Sequence, residues 1–261
     1  LLIAGVGIFI PLAGYLISHP QWVQSMALII AVPVVAYLLW EALRGSREEA
    51  GRMIVILVLC TFSMVFWGFF ELAGSTVTRF TEDAVNRQVL GREVPAAFVA
   101  NFVNPMLIIF LGIPVAGLWV WLGRKKLEPS SPLKFVMGLS QLALGFLMLY
   151  IGAKQAQVTG KSPMIWLILA FFFHTTGELC LSPVGLSTIT KLSPARLVGM
   201  FMGVWFLSSA LGNVLAPKIV SVSADAGFDA VFKLITIILV GSAVGLLILV
   251  RPLKKMMHGA E

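Results

Sequence analysis

Charged side chains are scarce in this chain, at 12% of its residues, and that scarcity excludes an ordinary water-soluble domain, in which about a quarter of residues are charged. Cysteine is scarcer still. Cys60 and Cys180 each lie inside an apolar run, where a thiol behaves as a small hydrophobe, so neither a disulfide framework nor a metal site follows from them. No Walker loop, dinucleotide fingerprint, zinc-binding HExxH or GxSxG elbow occurs, and no Ser-His or paired-Asp arrangement stands out. The sequence therefore reads as that of a protein that is not an enzyme and holds no metal and no cofactor. The surplus of 19 Lys and Arg over 12 Asp and Glu sits in the breaks between apolar runs, which makes it a topology signal rather than a nucleic-acid surface.

Hydrophobic residues make up 59% of the 261. They come in runs long enough for a bilayer core, which needs about 20 apolar residues per helix. Eight spans are expected, over residues 1–18, 22–43, 53–76, 98–122, 132–153, 163–190, 197–220 and 229–250, and eight place both ends on one side. Twelve basic residues, from Arg44, Arg47 and Arg52 to Arg251, Lys254 and Lys255, fall on the side of the ends, against six on the other. By the positive-inside bias, both ends are cytoplasmic. Residues 75–97 form the single long polar connection and read as a helical extension plus an outer loop. Residue 1 is Leu and lies directly in an apolar run, without the charged region or small-residue cleavage site of a signal peptide, so the chain reads as continuing upstream.

Two of the twelve acidic residues, Glu71 and Glu178, fall inside apolar spans. A carboxylate at a helix centre costs roughly 2.5 to 3.5 kcal/mol on insertion scales, so its default reading is functional. Glu178 lies in HTTGELCLSPVGLSTITK, where Pro183 lacks the N–H that would bond the Leu179 carbonyl and Gly177 and Gly185 ease bending. Glu71 follows FWGFF toward the outer half of the membrane, the position of a gate residue; gain and loss of a proton there is the switch that proton coupling needs. Asn104 precedes Pro105, with Asn101 one turn earlier; each amide serves equally as interhelical glue or as a ligand contact. Trp205 is flanked by small residues, as a packing knob or a cavity wall. His174 lies four residues before Glu178, on the same helix face, and reads as a hydrogen-bonded structural histidine or as a proton relay. Lys233, near the start of the last span, snorkels outward.

Taken together, Phe66-Trp67 with Glu71, Asn104-Pro105, GRKKLEPSSPLKF (123–135), GELCLSPVGLSTITKLSPAR (177–196) and GVWFL through Gly212-Asn213 resemble the C-terminal half of the proton-dependent oligopeptide transporters, a branch of the major facilitator superfamily. The resemblance implies an all-α integral membrane fold, with residues 1–52 as a two-helix linker hairpin and 53–261 as the C-terminal six-helix bundle. It implies proton-coupled symport of di- and tripeptides by alternating access across a plasma membrane, that of a bacterial inner membrane, driven by the proton gradient. The partners implied are peptide, protons, the lipid bilayer and an N-terminal six-helix bundle of the same protein. Glu178 would bind the peptide α-ammonium, Asn104 the peptide backbone, and Trp205 and Ser182 would line the pocket. Glu71 and Glu178 would couple to the proton, Glu71 pairing with an Arg of the other half. Leu72 and Asn101 stand where the family usually has Gln. A relative that moves another small solute, and a non-transporting membrane scaffold, are the competing readings.

Overall fold

Backbone N–H and C=O groups cannot be left unbonded in hydrocarbon, so apolar runs of this length close their hydrogen bonds within helices. The computed structural model describes residues 2–222 and 224–259, with the backbone alone at 2–6, 8, 12, 17, 20, 24 and 224. The helices are α1 (Leu2–Ser18), α2 (Pro20–Arg44), α3 (Arg47–Phe70), α4 (Thr76–Ala84), α5 (Ala96–Arg124), α6 (Ser131–Thr159), α7 (Met164–Leu192), α8 (Val198–Ser221) and α9 (Phe228–Met256). Among the described residues, seven helical segments are long and apolar enough to cross a membrane. The first expected span coincides with α1, of which 17 residues are described. Leu1, where that span was expected to begin, lies outside the described residues.

Local chemistry sets the helix ends. Ser46 caps α3, its Oγ accepting from the Glu49 N–H at 3.2 Å, with Glu48 and Glu49 in the first turn where carboxylates oppose the helix dipole. α3 therefore begins at Arg47, six residues before the span expected at 53. At its other end the α-helical pattern tightens into a 3₁₀ turn over Glu71–Gly74 before α4 starts. In α4 Val77, Phe80 and Thr81 are buried while Arg79, Glu82 and Asp83 face out, the three-to-four spacing of an amphipathic helix. Phe80 meets the rings of Phe228 and Phe232 at 5.3 and 5.2 Å and so docks α4 on the start of α9.

Where a plain outer loop is expected, the polar connection also holds an antiparallel pair: β1 (Gln88–Val89) and β2 (Arg92–Glu93). Leu90 and Gly91 between them have φ of +51° and +76°, the two positive values that a tight two-residue hairpin turn requires.

α6 packs against α7 and α9, and α3 against α8. The helix pairs meet at glycines. A Cβ added at Gly68 would lie 2.7 Å from the Gly212 carbonyl oxygen, and one at Gly177 would lie 2.9 Å from that of Gly138. Backbones touch there, which any larger side chain would prevent. Phe66, Phe135, Phe146, Phe201 and Phe232 fill the core between these crossings, with no exposed surface. α5 is different: only Ala96 and Val99 are buried along it, and Ile109, Phe110 and Ile113 are 72, 66 and 83% exposed. Such an apolar face is stable in lipid or against another helical layer.

Candidate functional site

α5 and α7 lie side by side and bring together two of the residues singled out by sequence. Asn104, on α5, donates its Nδ2 to Glu178 Oε2 at 3.0 Å and to Thr175 Oγ1 at 3.1 Å. Thr175 in turn donates to the Phe171 carbonyl at 2.8 Å. Both hydrogens of the Asn104 amide are thereby used. Its Oδ1 and the second oxygen of Glu178 accept nothing among the described residues. The half-buried pair thus presents acceptors and no spare donor, a surface suited to a group that only donates, such as an ammonium.

Thr175, Glu178 and Ser182 follow at spacings of three and four on α7, which puts them on one face; Ser182 is half-buried. α7 stays helical through Pro183. Thr175 was missed at the sequence level, although its place three residues before Glu178 carried the signal. Gln141 was missed as well: it donates Nε2 to Cys180 Sγ at 3.2 Å and ties α6 to the same stretch of α7.

Glu71 opens the 3₁₀ turn at the end of α3 and is exposed. It makes no hydrogen bond or ion pair to the Asn104–Glu178 pair among the described residues. Asn101 does not join that pair either; its Nδ2 returns to the Ala97 carbonyl of its own helix at 2.7 Å.

Trp205 is 3% exposed. Its ring lies where a Cβ on Gly185 would be, 2.1 Å from that position, and meets Phe135 edge-on at 6.1 Å. In this structure it wedges α8 against α7 one turn beyond Ser182. His174 is buried against the α6 backbone at Gly145, with the Phe146 ring 4.8 Å away and its Nε2 unpaired. It makes no hydrogen bond to Glu178 among the described residues. Neighbouring rungs of one helix face have here been turned to different helices, His174 to α6 and Thr175 and Glu178 to α5.

Two cavities lie away from the Glu178–Asn104 pair. One of about 610 Å³ is lined by Ser75, Thr76, Arg79, Asp83 and Phe228, where α4 and α9 begin, and another of about 340 Å³ lies where α6 begins and α7 ends. The Glu178–Asn104 pair lines neither. Among the described residues no group of three or more His, Cys, Asp or Glu could hold a metal ion.

The family model described as the POT family matches residues 18–238. The peptide transporter YePEPT of Yersinia enterocolitica is 33% identical over 95% of this chain and 50% of its own length. Dipeptide and tripeptide permease B of Salmonella typhimurium is 25% identical over 86% of this chain and 46% of its own. A crystal structure of a peptide transporter POT in complex with sulfate superposes with a TM-score of 0.80 at 28% identity, covering 99% of this chain and 53% of that one. A second, in complex with alafosfalin, gives 0.76 at 27% identity over 99% and 52%. The chain spans about half the length of the curated relatives it matches.

Proposed function

This chain belongs to the POT family, and from that premise we propose that it forms the C-terminal half of a secondary transporter that carries di- and tripeptides together with protons. The observation that carries the reading is the Asn104–Glu178 pair at 3.0 Å. Its open acceptors, Glu178 Oε1 and Asn104 Oδ1, receive the peptide α-ammonium and a backbone N–H, and Ser182 lines the same α7 face. Trp205 acts from behind by holding α8 on Gly185. The names of the relatives, peptide transporter and dipeptide and tripeptide permease, support a peptide as the cargo.

Residues 1–52 form the linker hairpin and 53–261 the transporting bundle. An N-terminal bundle faces the exposed side of α5 and completes the site. Proton coupling runs through Glu71 and Glu178, the two acidic residues that fall inside apolar runs. Glu71 pairs with an Arg of the other half when the path is closed on its side. Exchange between these contacts lets the halves rock about a central site, driven by the proton gradient and not by a bound cofactor. Both ends of this segment are cytoplasmic, in a bacterial inner membrane.

The test is uptake of a labelled dipeptide into proteoliposomes containing the full-length protein, with and without an inward proton gradient. Gradient-driven uptake is expected, lost in Glu178→Gln and Glu71→Gln. Absence of both uptake and dipeptide counterflow in well-folded wild type overturns the peptide assignment; uptake that ignores the gradient overturns the coupling.

A further inference from the structure

At the end of the bundle where α5 and α7 finish and α6 begins, a cavity of about 340 Å³ is walled by Lys134, Lys191, Ser130, Ser131, Ser187 and Thr188. Nothing in the transport reading uses it. Its lining differs in kind from that of the Glu178–Asn104 site: two ammonium groups and four hydroxyls, all able to donate, against one carboxylate, Glu128. We propose that this cavity binds an anionic phosphate group.

Lys134 is the unusual member. Only 7% of it is exposed, and a buried lysine needs strong compensation. Glu128 supplies part through a direct ion pair, and the face of Trp119 supplies more, with the ammonium 4.7 Å above the ring. An ammonium has three N–H groups, so one oxygen of Glu128 leaves donors for a ligand. Lys191, exposed on the opposite wall, has no acidic partner among the described residues and leaves the cavity net positive. Ser130 precedes α6 and makes no side-chain capping bond, so its hydroxyl is open as well. Together these groups offer a phosphate what it requires, several donors to several oxygens with positive charge on two sides.

Depth in the membrane says which phosphates can arrive. α6 and α7 have 29 residues each, about 44 Å at 1.5 Å per residue, against a hydrocarbon core of about 30 Å. Their ends therefore reach the headgroup layer. Trp119 and Trp121 sit beside lysines at the same end, with Lys125 4.0 Å over the Trp121 ring, the aromatic-and-basic signature of that layer. A phosphodiester of an anionic lipid reaches the cavity from the bilayer, and inorganic phosphate reaches it from water; both present the same chemistry. Basic pockets between transmembrane helices bind anionic headgroups in this way.

The test takes the full-length protein through native mass spectrometry with phosphatidylglycerol or zwitterionic phosphatidylethanolamine, and separately through thermal unfolding with inorganic phosphate. Four proteins are compared: wild type, Lys191→Gln, the charge-balanced pair Glu128→Gln with Lys134→Gln, and Lys255→Gln, an equal charge change outside the cavity. Retention of phosphatidylglycerol that falls about fivefold for Lys191→Gln, falls in the balanced pair and holds in Lys255→Gln assigns the cavity to a lipid headgroup. Stabilisation by inorganic phosphate that is lost in the same two cavity variants, without a lipid preference, assigns it to free phosphate. Equal behaviour of all four proteins in both arms, or equal losses in Lys255→Gln, overturns the proposal. Lys191 is exposed, so its variant folds even if the buried pair does not tolerate change.

Discussion

The amide of Asn104 on α5 spends both its hydrogens on α7, one on Thr175 Oγ1 at 3.1 Å and one on Glu178 Oε2 at 3.0 Å, so that the two helices share one polar contact within an otherwise apolar layer. That contact orients the carboxylate and leaves its other oxygen for a ligand. Asn104→Ala removes the charge-assisted bond, worth about 1.5–3 kcal/mol. In the full-length protein the dipeptide KM is expected to rise about tenfold or more, with the protein still folded. An unchanged KM would separate Asn104 from substrate binding.

Gly212 presses its Cα face onto α3, where an added Cβ would fall 2.3 Å from the Met64 carbonyl oxygen. Backbone cannot yield as a side chain does, so Gly212→Ala is expected to destabilise by about 1–3 kcal/mol. Gly241→Ala, at a helical position with nothing within 4 Å, is expected to be neutral or mildly stabilising, by up to about 1 kcal/mol. Melting curves of the two variants side by side decide the matter; similar losses would mean that the α3–α8 crossing is looser than it looks.

His174 packs on Gly145 and Phe146 and makes no bond to Glu178. Its truncation to Ala empties a large core position, which typically costs roughly 2 to 5 kcal/mol, so a lower melting temperature is expected. The pH profile of dipeptide uptake is expected to keep its midpoint. A displaced midpoint would restore the relay reading that the geometry disfavours.

Arg196, between α7 and α8, reaches Glu49 at 2.8 Å and Glu41 at 3.9 Å, joining α2 and the first turn of α3 to the α7–α8 turn. The pair is solvent-facing, its arginine side chain 53% exposed, and exposed pairs contribute about 1 kcal/mol or less. Arg196→Gln is expected to shift stability by no more than that, with the shift shrinking in high salt. A double-mutant cycle with Glu49→Gln measures it, and a coupling well above that value would make the contact a structural tie rather than a surface pair.

Membrane spans were legible because they depend on composition summed over about 20 residues, and among the described residues seven of the expected segments stand as long apolar helices. Boundaries were less legible. α3 begins six residues early because the Ser46 cap and the acidic first turn start the helix in a stretch too polar to register as span. The hairpin at 88–93 escaped because its turn, Leu90-Gly91, carries only half of the usual Asn-Gly signal. Glu71 and Glu178 announced themselves by the cost of a carboxylate in an apolar run, whereas Thr175 and Gln141 did not, since small polar side chains are common in such helices at little cost.

What the sequence by itself determined is the class of molecule and its two expensive carboxylates, because both follow from how much polar surface a bilayer accepts. Only the tertiary structure decided which neighbour each residue meets. His174 and Glu178 share a helix face by spacing, yet one turns to the glycine surface of α6 and the other to the amide of α5. Trp205 stands among small residues in the chain, and its ring fills the space above Gly185 rather than facing an open cavity. A helix carries its side chains at fixed angles about its own axis, but the axis rotation and the partner are set by backbone approach at Gly68–Gly212 and Gly138–Gly177, contacts between residues far apart in the chain that no local pattern encodes.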